Sequence, residues 1–95
     1  MASIGQLAAG VAHEINNPIG YVHSNIGTLR EYMGALFGII EAYASALASP
    51  DPAAHREELR SQRQRLDIDY ILVDLPQRRD RSREGIERVT RIVQD

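Results

Sequence analysis

Ala48-Ser49-Pro50-Asp51-Pro52 is the stretch that decides the fold, because it is the strongest loop signal in a chain of 95 residues. Two prolines, a serine and an aspartate packed together are typical of a turn. The stretch lies almost at the middle of the chain, with arms of similar length on either side. It therefore predicts a loop over about 48–52 that joins two long elements.

Apolar residues recur at helical spacing in both arms. In the first arm most steps are of three or four residues, which is typical of a helix packed on other helices. The pattern predicts helix one over about 3–47 and helix two over about 53–93. Ser3 is predicted to cap helix one, with Gln6 as its capping-box partner. The first series is Ile4, Leu7, Val11, Ile15, Val22, Ile26, Leu29, Met33, Leu36, Ile40, Tyr43 and Leu47, and the second is Leu59, Leu66, Ile68, Ile71, Leu72, Leu75, Ile86, Val89, Ile92 and Val93.

Two antiparallel helices alone leave much of both apolar stripes in contact with water. The usual solution is a four-helix bundle, and small domains often need oligomerisation to bury enough surface. The predicted fold class is therefore all-α: two long antiparallel helices form a helical hairpin, and two copies dimerise into a four-helix bundle. Residues 1–95 are predicted to be a single domain.

Composition excludes several classes of function. The chain has no cysteine, which excludes disulfides, thiolate metal sites and cysteine nucleophiles. All eleven basic residues are arginine, so no P-loop lysine is possible. The formal charge of −2 argues against a nucleic-acid partner. No apolar run is long enough to cross a bilayer, and the start lacks the features of a signal peptide, so we expect a cytoplasmic chain with no direct membrane insertion.

The densest polar cluster is His13-Glu14-Ile15-Asn16-Asn17-Pro18. His13 lies two residues from both Val11 and Ile15, about 200° around the helix, so it is predicted to face solvent. Asn17 lies one turn further on the same face, and Glu14 flanks the imidazole. Pro18 cannot donate to the carbonyl of Glu14, which predicts a kink. His13 is then either a solvated helical histidine or a nucleophilic imidazole whose basicity Glu14 raises.

A metal site is weakly indicated. The His-Glu-x-x-His pattern of zinc proteases is incomplete here, because its last position is Asn17. His23 lies to the side of the His13 face, and His55 belongs to the loop or the other arm. We predict no metal ligands in this chain.

The segment from Ser3 to Ile19 reads SIGQLAAGVAHEINNPI. It resembles the H-box of two-component sensor histidine kinases, in the subgroup with His-Glu-Ile-Asn-Asn-Pro. The segment 84–93, EGIERVTRIV, is similar to the end of the second helix in that family. The resemblance implies a dimerisation and histidine phosphotransfer domain, a homodimeric antiparallel four-helix bundle in two-component signal transduction.

The resemblance also implies roles for individual residues. His13 would be the phosphoacceptor that takes the γ-phosphate of ATP and passes it to an aspartate of a response-regulator receiver domain. Glu14 would act as general base, and Asn17 would orient phosphate or water. Pro18 would supply the family's kink. ATP and Mg²⁺ would come through a separate catalytic domain or the receiver, so the chain has no cofactor of its own.

The chain lacks the sequence boxes of an ATP-binding domain and a sensor region. We expect an excised domain that is part of a protein-histidine kinase and does not autophosphorylate by itself. The predicted partners are a second copy, the ATP-binding domain of the same kinase and a receiver domain. Two alternatives remain: a non-enzymatic helical dimerisation module with a vestigial H-box, and a phosphotransfer protein that needs no kinase domain of its own.

Helix two contains one departure from the apolar pattern. Its stripe predicts apolar residues where the sequence has Arg78, Arg79 and Ser82. The arginine stems lie along a bundle edge, or the run weakens the dimer seam or shifts the helix. A hairpin that is symmetrical about Asp51 would put Val89 level with His13. Arg88 and Arg91 would then flank the histidine and meet the charge of a phosphoryl group.

Overall fold

The computed structural model describes residues 4–94, and these residues are helical apart from short connections. Helix α1 is Ile4–Ala48. A 3-10 turn, Pro52–His55, follows the loop and leads into helix α2, Arg56–Arg65. Helix α3 is Ile68–Gln94. The proposed cap Ser3 lies outside the described residues.

The chain forms two compact units, and in both the first arm runs antiparallel to the second. The terminal unit consists of the residues up to Thr28 and those from Gln77 onward, and the loop unit is Leu29–Pro76. In the terminal unit, Asn25 of α1 bonds Ser82 of α3. In the loop unit, the hydroxyl of Tyr32 donates to Asp74 of α3 at 2.6 Å. The predicted all-α antiparallel hairpin is confirmed.

The second arm is not the single helix predicted over about 53–93. It is interrupted at Leu66 and Asp67, and Asp67 has a positive φ of 58°. The amide of Asp67 bonds the carbonyl of Gln64, a short-range turn that replaces the helical ladder. Aspartate tolerates this left-handed conformation better than most residues. The sequence contained a sign of the break, since the step from Leu66 to Ile68 is two residues and puts them on different faces of one helix.

Side chains bridge the break. The guanidinium of Arg63 in α2 donates from Nε to Asp69 of α3 at 3.0 Å and from Nη1 to the hydroxyl of Tyr43 in α1 at 3.4 Å. These hydrogen bonds, that to Asp69 above all, raise the pKa of the Arg63 guanidinium above its usual value. The hydrogen bonds of Arg63 therefore stabilise the turn on the side that faces solvent.

The apolar core of the loop unit lies on the inner side of the same turn. Ile39 of α1 packs with Ile68 and Ile71 of α3, and all three are buried. Ile68 and Ile71 are one helical turn apart, so the first turn of α3 supplies two of the three buried side chains. Half-buried apolar residues complete the cluster: Tyr32, Ala35, Leu36, Tyr43, Leu66 and Leu75.

The row of α1 residues that the hairpin buries does not coincide with the predicted apolar stripe. A row at steps of seven faces inward and includes the buried residues Pro18, Asn25, Ile39 and Ala46. The neighbouring row, also at steps of seven, is exposed although every member is apolar. Its members are Ile19, Ile26, Met33, Ile40 and Leu47, whose exposed fractions run from 49% to 75%. Seven of the twelve residues of the predicted stripe are thus exposed in one chain, and the other five are half-buried: Ile15, Val22, Leu29, Leu36 and Tyr43.

Candidate functional site

His13 lies on the exposed surface of α1, as the spacing predicted. The side-chain nitrogen Nδ2 of Asn17 is 3.5 Å from Nε2 of His13. Residues four apart on a helix are neighbours, which is why the two side chains meet. Since an amide nitrogen only donates, this contact suits the tautomer in which Nε2 carries a lone pair and Nδ1 carries the proton. The pair presents an imidazole, in contact with an amide, to solvent.

Glu14 is exposed and follows His13 directly on α1. Successive helical residues are about 100° apart around the axis, so its carboxylate lies to one side of the imidazole. Its role as a base stays a prediction.

Pro18 is buried inside α1, and the helix continues through it from Ile4 to Ala48. A β-carbon built on Gly85 of α3 would stand 3.6 Å from the carbonyl oxygen of Pro18 and 2.8 Å from Cγ2 of Val22. A glycine at position 85 therefore lets α3 approach α1 closely, one turn after the His13–Asn17 pair. The kink predicted at Pro18 stays a prediction.

A groove of about 520 Å³ that contains several charged side chains lies between α1 and α3, and Asn17, but not His13, is among its lining residues. Asn17 is part of its wall, as are Arg88 and Arg91, so the structure brings the two predicted arginines together with a predicted site residue. Two glutamates, Glu84 and Glu87, lie between the arginines on the α3 side. The groove, hereafter the arginine groove, is lined by Asn17, Pro18, Tyr21, Arg81, Glu84, Gly85, Glu87, Arg88 and Arg91.

The helices are paired in a different register from the predicted one. A hairpin symmetrical about Asp51 would put Asn25 level with Gln77, but the Asn25 amide bonds Ser82. The second arm includes the turn at Leu66 and Asp67, which uses residues without extending a helix. By the same pairing, residues of α3 beyond Val89 are level with His13, and Val89 itself is level with Pro18. Val89 also lines an apolar groove together with Val22.

A buried polar layer, which the sequence reasoning missed, crosses the terminal unit. Asn25 is only 3% exposed, and its amide donates to Oγ of Ser82 at 3.1 Å. Arg78 donates from Nη1 to Oδ1 of Asn25, also at 3.1 Å. Asn25 falls in the inward row, seven residues after Pro18. That spacing is the feature of the sequence that could have predicted its burial. Asn25, Arg78 and Ser82 are hereafter called the Asn25 layer.

The Asn25 layer corrects the interpretation of the arginine run. Arg78 is half-buried and bonded inside the hairpin, whereas Arg79 is exposed and pairs with its neighbour Asp80 at 3.3 Å. Arg79 shares an outward row of α3 with Leu72 and Ile86, at steps of seven. The two arginines therefore have different surroundings and do not act together as an interruption of one core.

The other two histidines, His23 and His55, are not part of the His13–Asn17 pair or of the arginine groove. His23 lies on the rim of an apolar groove. Nε2 of His55 is 3.2 Å from Oγ of Ser49, and its Nδ1 is 4.0 Å from a carboxylate oxygen of Glu58. Between residues 4 and 94 no group of three histidine, aspartate or glutamate side chains is placed to hold a metal ion.

The apolar groove lies in the terminal unit and has a volume of about 340 Å³. Two residues of the outward α1 row, Ile19 and Ile26, and one of the outward α3 row, Ile86, are in its walls. These three are each about half exposed. The groove is lined by Ile19, Val22, His23, Ile26, Ile86, Val89 and Thr90.

Comparison with family models, curated proteins and solved structures gives no match to this chain. Among the described helices, none combines the length and apolar character that spanning a bilayer requires.

Proposed function

We propose that this chain is the phosphoacceptor and dimerisation domain of a sensor histidine kinase, with His13 as the phosphorylated residue. The observation that carries the proposal is the exposed His13–Asn17 pair beside the arginine groove. Phosphoryl transfer depends on positioning and charge neutralisation more than on covalent help from the protein. The imidazole contacts Asn17, and Asn17 lines the groove that contains the guanidinium groups, which supports both requirements.

The reaction at His13 is a displacement at phosphorus. The lone pair of Nε2, once the Asn17 amide has turned away from it, attacks the γ-phosphorus of ATP, and the bond between that phosphorus and the bridging oxygen of ADP breaks. The proton on the other ring nitrogen leaves to the carboxylate of Glu14, which acts as general base. Asn17 orients the ring beforehand and later orients phosphate, or the water that hydrolyses the partner's phosphate.

Arg88 and Arg91 neutralise charge in this scheme. Both line the groove that also includes Asn17. Guanidinium groups bind phosphoryl oxygens through paired N–H donors, which makes them suitable neighbours for a phosphorylated histidine. Glu84 and Glu87 in the same groove keep the local charge near balance before phosphorylation.

Homodimerisation would cover the outward apolar rows. Ile19, Ile26 and Ile86 are each about half exposed around one groove, and fully burying such a side chain is worth roughly 1.5–3 kcal/mol. A second copy with the same rows completes a four-helix bundle.

The remaining partners follow from the chemistry. A catalytic domain of the same kinase brings ATP and Mg²⁺, and a receiver domain brings the accepting aspartate. Both must reach the same nitrogen in turn, and the exposure of His13 on α1 is compatible with that. We propose a cytoplasmic location for the reaction, because ATP is there.

The test is phosphorylation by an added ATP-binding domain from a kinase with the same H-box. The chain is incubated with that domain and labelled ATP, and the product is assayed for acid-labile, base-stable phosphate. We expect label on the parent and none on His13→Ala. The matched controls His23→Ala and His55→Ala should both be labelled like the parent. Label that survives in His13→Ala would overturn the assignment.

Dimerisation is tested by sedimentation at tens of micromolar. Ile26→Glu puts a charge in the outward row and should shift the chain toward monomer, while Ser24→Glu, also exposed but outside that row, should not. A parent chain that is monomeric under these conditions would contradict the bundle.

A non-enzymatic helical dimerisation module is the second candidate function. The outward apolar row favours it, since that row continues through Met33, Ile40 and Leu47, far along α1 from His13. A parent chain that dimerises but accepts no phosphate from several active catalytic domains would support this function instead.

A further inference from the structure

We propose that the Asn25 layer consists of positioning residues, which select the axial register of α3 against α1 and so decide which side chains lie beside His13. Its consequence for phosphorylation rests on the proposed function, whereas the register itself is a property of the hairpin.

The layer is the most buried polar feature of the terminal unit. Asn25 and Ser82 are 3% and 8% exposed, and they are joined by a 3.1 Å hydrogen bond. The amide nitrogen of Asn25 is also 3.5 Å from the backbone carbonyl of Arg78, whose guanidinium bonds the amide oxygen. Both polar atoms of the Asn25 side chain are therefore used across the helix interface.

Apolar contacts alone would not choose this register strongly. Burial of apolar surface is non-directional, and apolar residues that recur every three or four positions fit again after a slip of one turn. Hydrogen bonds between buried side chains are directional, and a slip would leave the buried Asn25 side chain without these partners, which is unfavourable for a buried polar group. A single buried asparagine is known to fix register in coiled coils at some expense of stability.

The register matters because the arginine groove contains charges of both signs at different heights along α3. A slip of α3 by four residues, about 6 Å along the axis, would put Glu84 where Arg88 lies and Glu87 where Arg91 lies. Carboxylates would then face the position of the phosphoryl group. Gly85 favours the observed register too, through its close approach to Val22, so we expect removal of the layer to populate the slipped state without making it complete.

The test replaces the layer by apolar side chains, as Asn25→Leu with Ser82→Ala. The matched control introduces the same two apolar residues at exposed positions, as Ser24→Leu with Ser61→Ala. Ser82→Thr keeps the hydroxyl and serves as the conservative variant. Because the chain has no cysteine, spin labels can be placed at exposed Gly20 and Arg79 through two introduced cysteines, in labelled chain diluted with unlabelled chain.

The expected result has two parts. The distance distribution between the labels should gain a second component in the layer variant, displaced by several ångströms, and stay single in the control and in Ser82→Thr. The melting temperature should stay close to that of the parent, because apolar groups replace both partners of the Asn25–Ser82 hydrogen bond and water can reach the half-buried Arg78 guanidinium. Phosphorylation should nevertheless slow by about tenfold or more, since small misplacements of a catalytic group are costly.

Three results would overturn the proposal. One is an unchanged distance distribution in the layer variant, whatever happens to phosphorylation. Another is a layer variant that loses its helicity, because the layer would then hold the hairpin together and not choose its register. The third is a second distance component together with an unchanged phosphorylation rate. If the parent accepts no phosphate at all, the proposed function fails, but the label distances still decide whether the layer selects the register.

Discussion

Gly85 of α3 and Val22 of α1 touch so closely that only a glycine fits at position 85. A β-carbon built there would be 2.8 Å from Cγ2 of Val22, closer than β-carbons approach other atoms in proteins. The crowding atom belongs to a β-branched side chain, which has few alternative rotamers. The contact sets how near α3 lies to the part of α1 that carries His13.

Gly85→Ala should therefore destabilise the hairpin although alanine is the better helix former. We expect a loss of about 1–3 kcal/mol from overpacking, measured by thermal unfolding at one protein concentration. Gly27→Ala is the matched control, since a β-carbon there meets nothing within 4 Å. It should stabilise by roughly 0.5–1 kcal/mol. If both alanines raised the melting temperature, the close approach at Gly85 would be refuted.

Arg78 and Arg79 should respond to leucine in opposite directions. Arg78→Leu removes the donor to Oδ1 of buried Asn25, and leaving that oxygen unsatisfied should cost about 1–3 kcal/mol. Arg79→Leu extends the outward row of Leu72 and Ile86, so it should be neutral in a monomer and stabilising in a dimer. Denaturant unfolding of the two single variants measures this difference, and equal effects would contradict the distinct surroundings of the two side chains.

The sequence predicted the course of α1 well because one helix with a regular apolar period needs only local information. The break at Leu66 and Asp67 was missed, although the two-residue step from Leu66 to Ile68 violates that period. Overall helical spacing outweighed one irregular step in the prediction. The break depends on tertiary contacts as well, since Arg63 reaches Asp69 and Tyr43 across it.

The turn residue Asp67 offers a test of this account. A β-branched side chain strongly disfavours positive φ, so Asp67→Val should destabilise the chain by about 1–2 kcal/mol. Asp67→Gly should not, because glycine adopts φ of 58° without steric cost. Thermal unfolding of the two variants decides this point. Should valine be tolerated as well as glycine, the second arm would have to be a continuous helix after all.

Glu14 and Asn17 should separate the steps of the proposed reaction. Glu14→Gln removes the base, so phosphorylation by ATP should slow by roughly 10²–10⁴-fold. Asn17→Ala removes the amide 3.5 Å from Nε2 of His13, and should weaken phosphatase activity toward the receiver most visibly. Initial rates of labelling and of receiver dephosphorylation measure the two effects. Parent-like rates for both variants in both assays would mean that the motif is a passive surface.

Part of the candidate site was predictable for a simple reason. The contact between His13 and Asn17 follows from their four-residue spacing, and Arg88 and Arg91 were close enough in the assumed hairpin to remain neighbours of Asn17 after a register change. The register itself was not predictable from the lengths of the two arms. The loop and the turn at Asp67 contain residues that do not lengthen a helix, and the turn belongs to the second arm alone. Asn25 was overlooked since Val22 and Ile26 on either side gave a plausible stripe without it.

The exposure of helix α2 predicts which part of the hairpin unfolds locally most easily. None of its residues is buried, and its surface is mostly charged. Backbone amides gain protection from exchange with solvent largely through packing, so the amides of Arg56–Arg65 should exchange soonest among the described helix interiors. For the same reason, residues inserted into or deleted from this helix cost mainly loop-closure entropy, which grows slowly with length. The hairpin can therefore change length at its α2 end while Ile39, Ile68 and Ile71 stay packed.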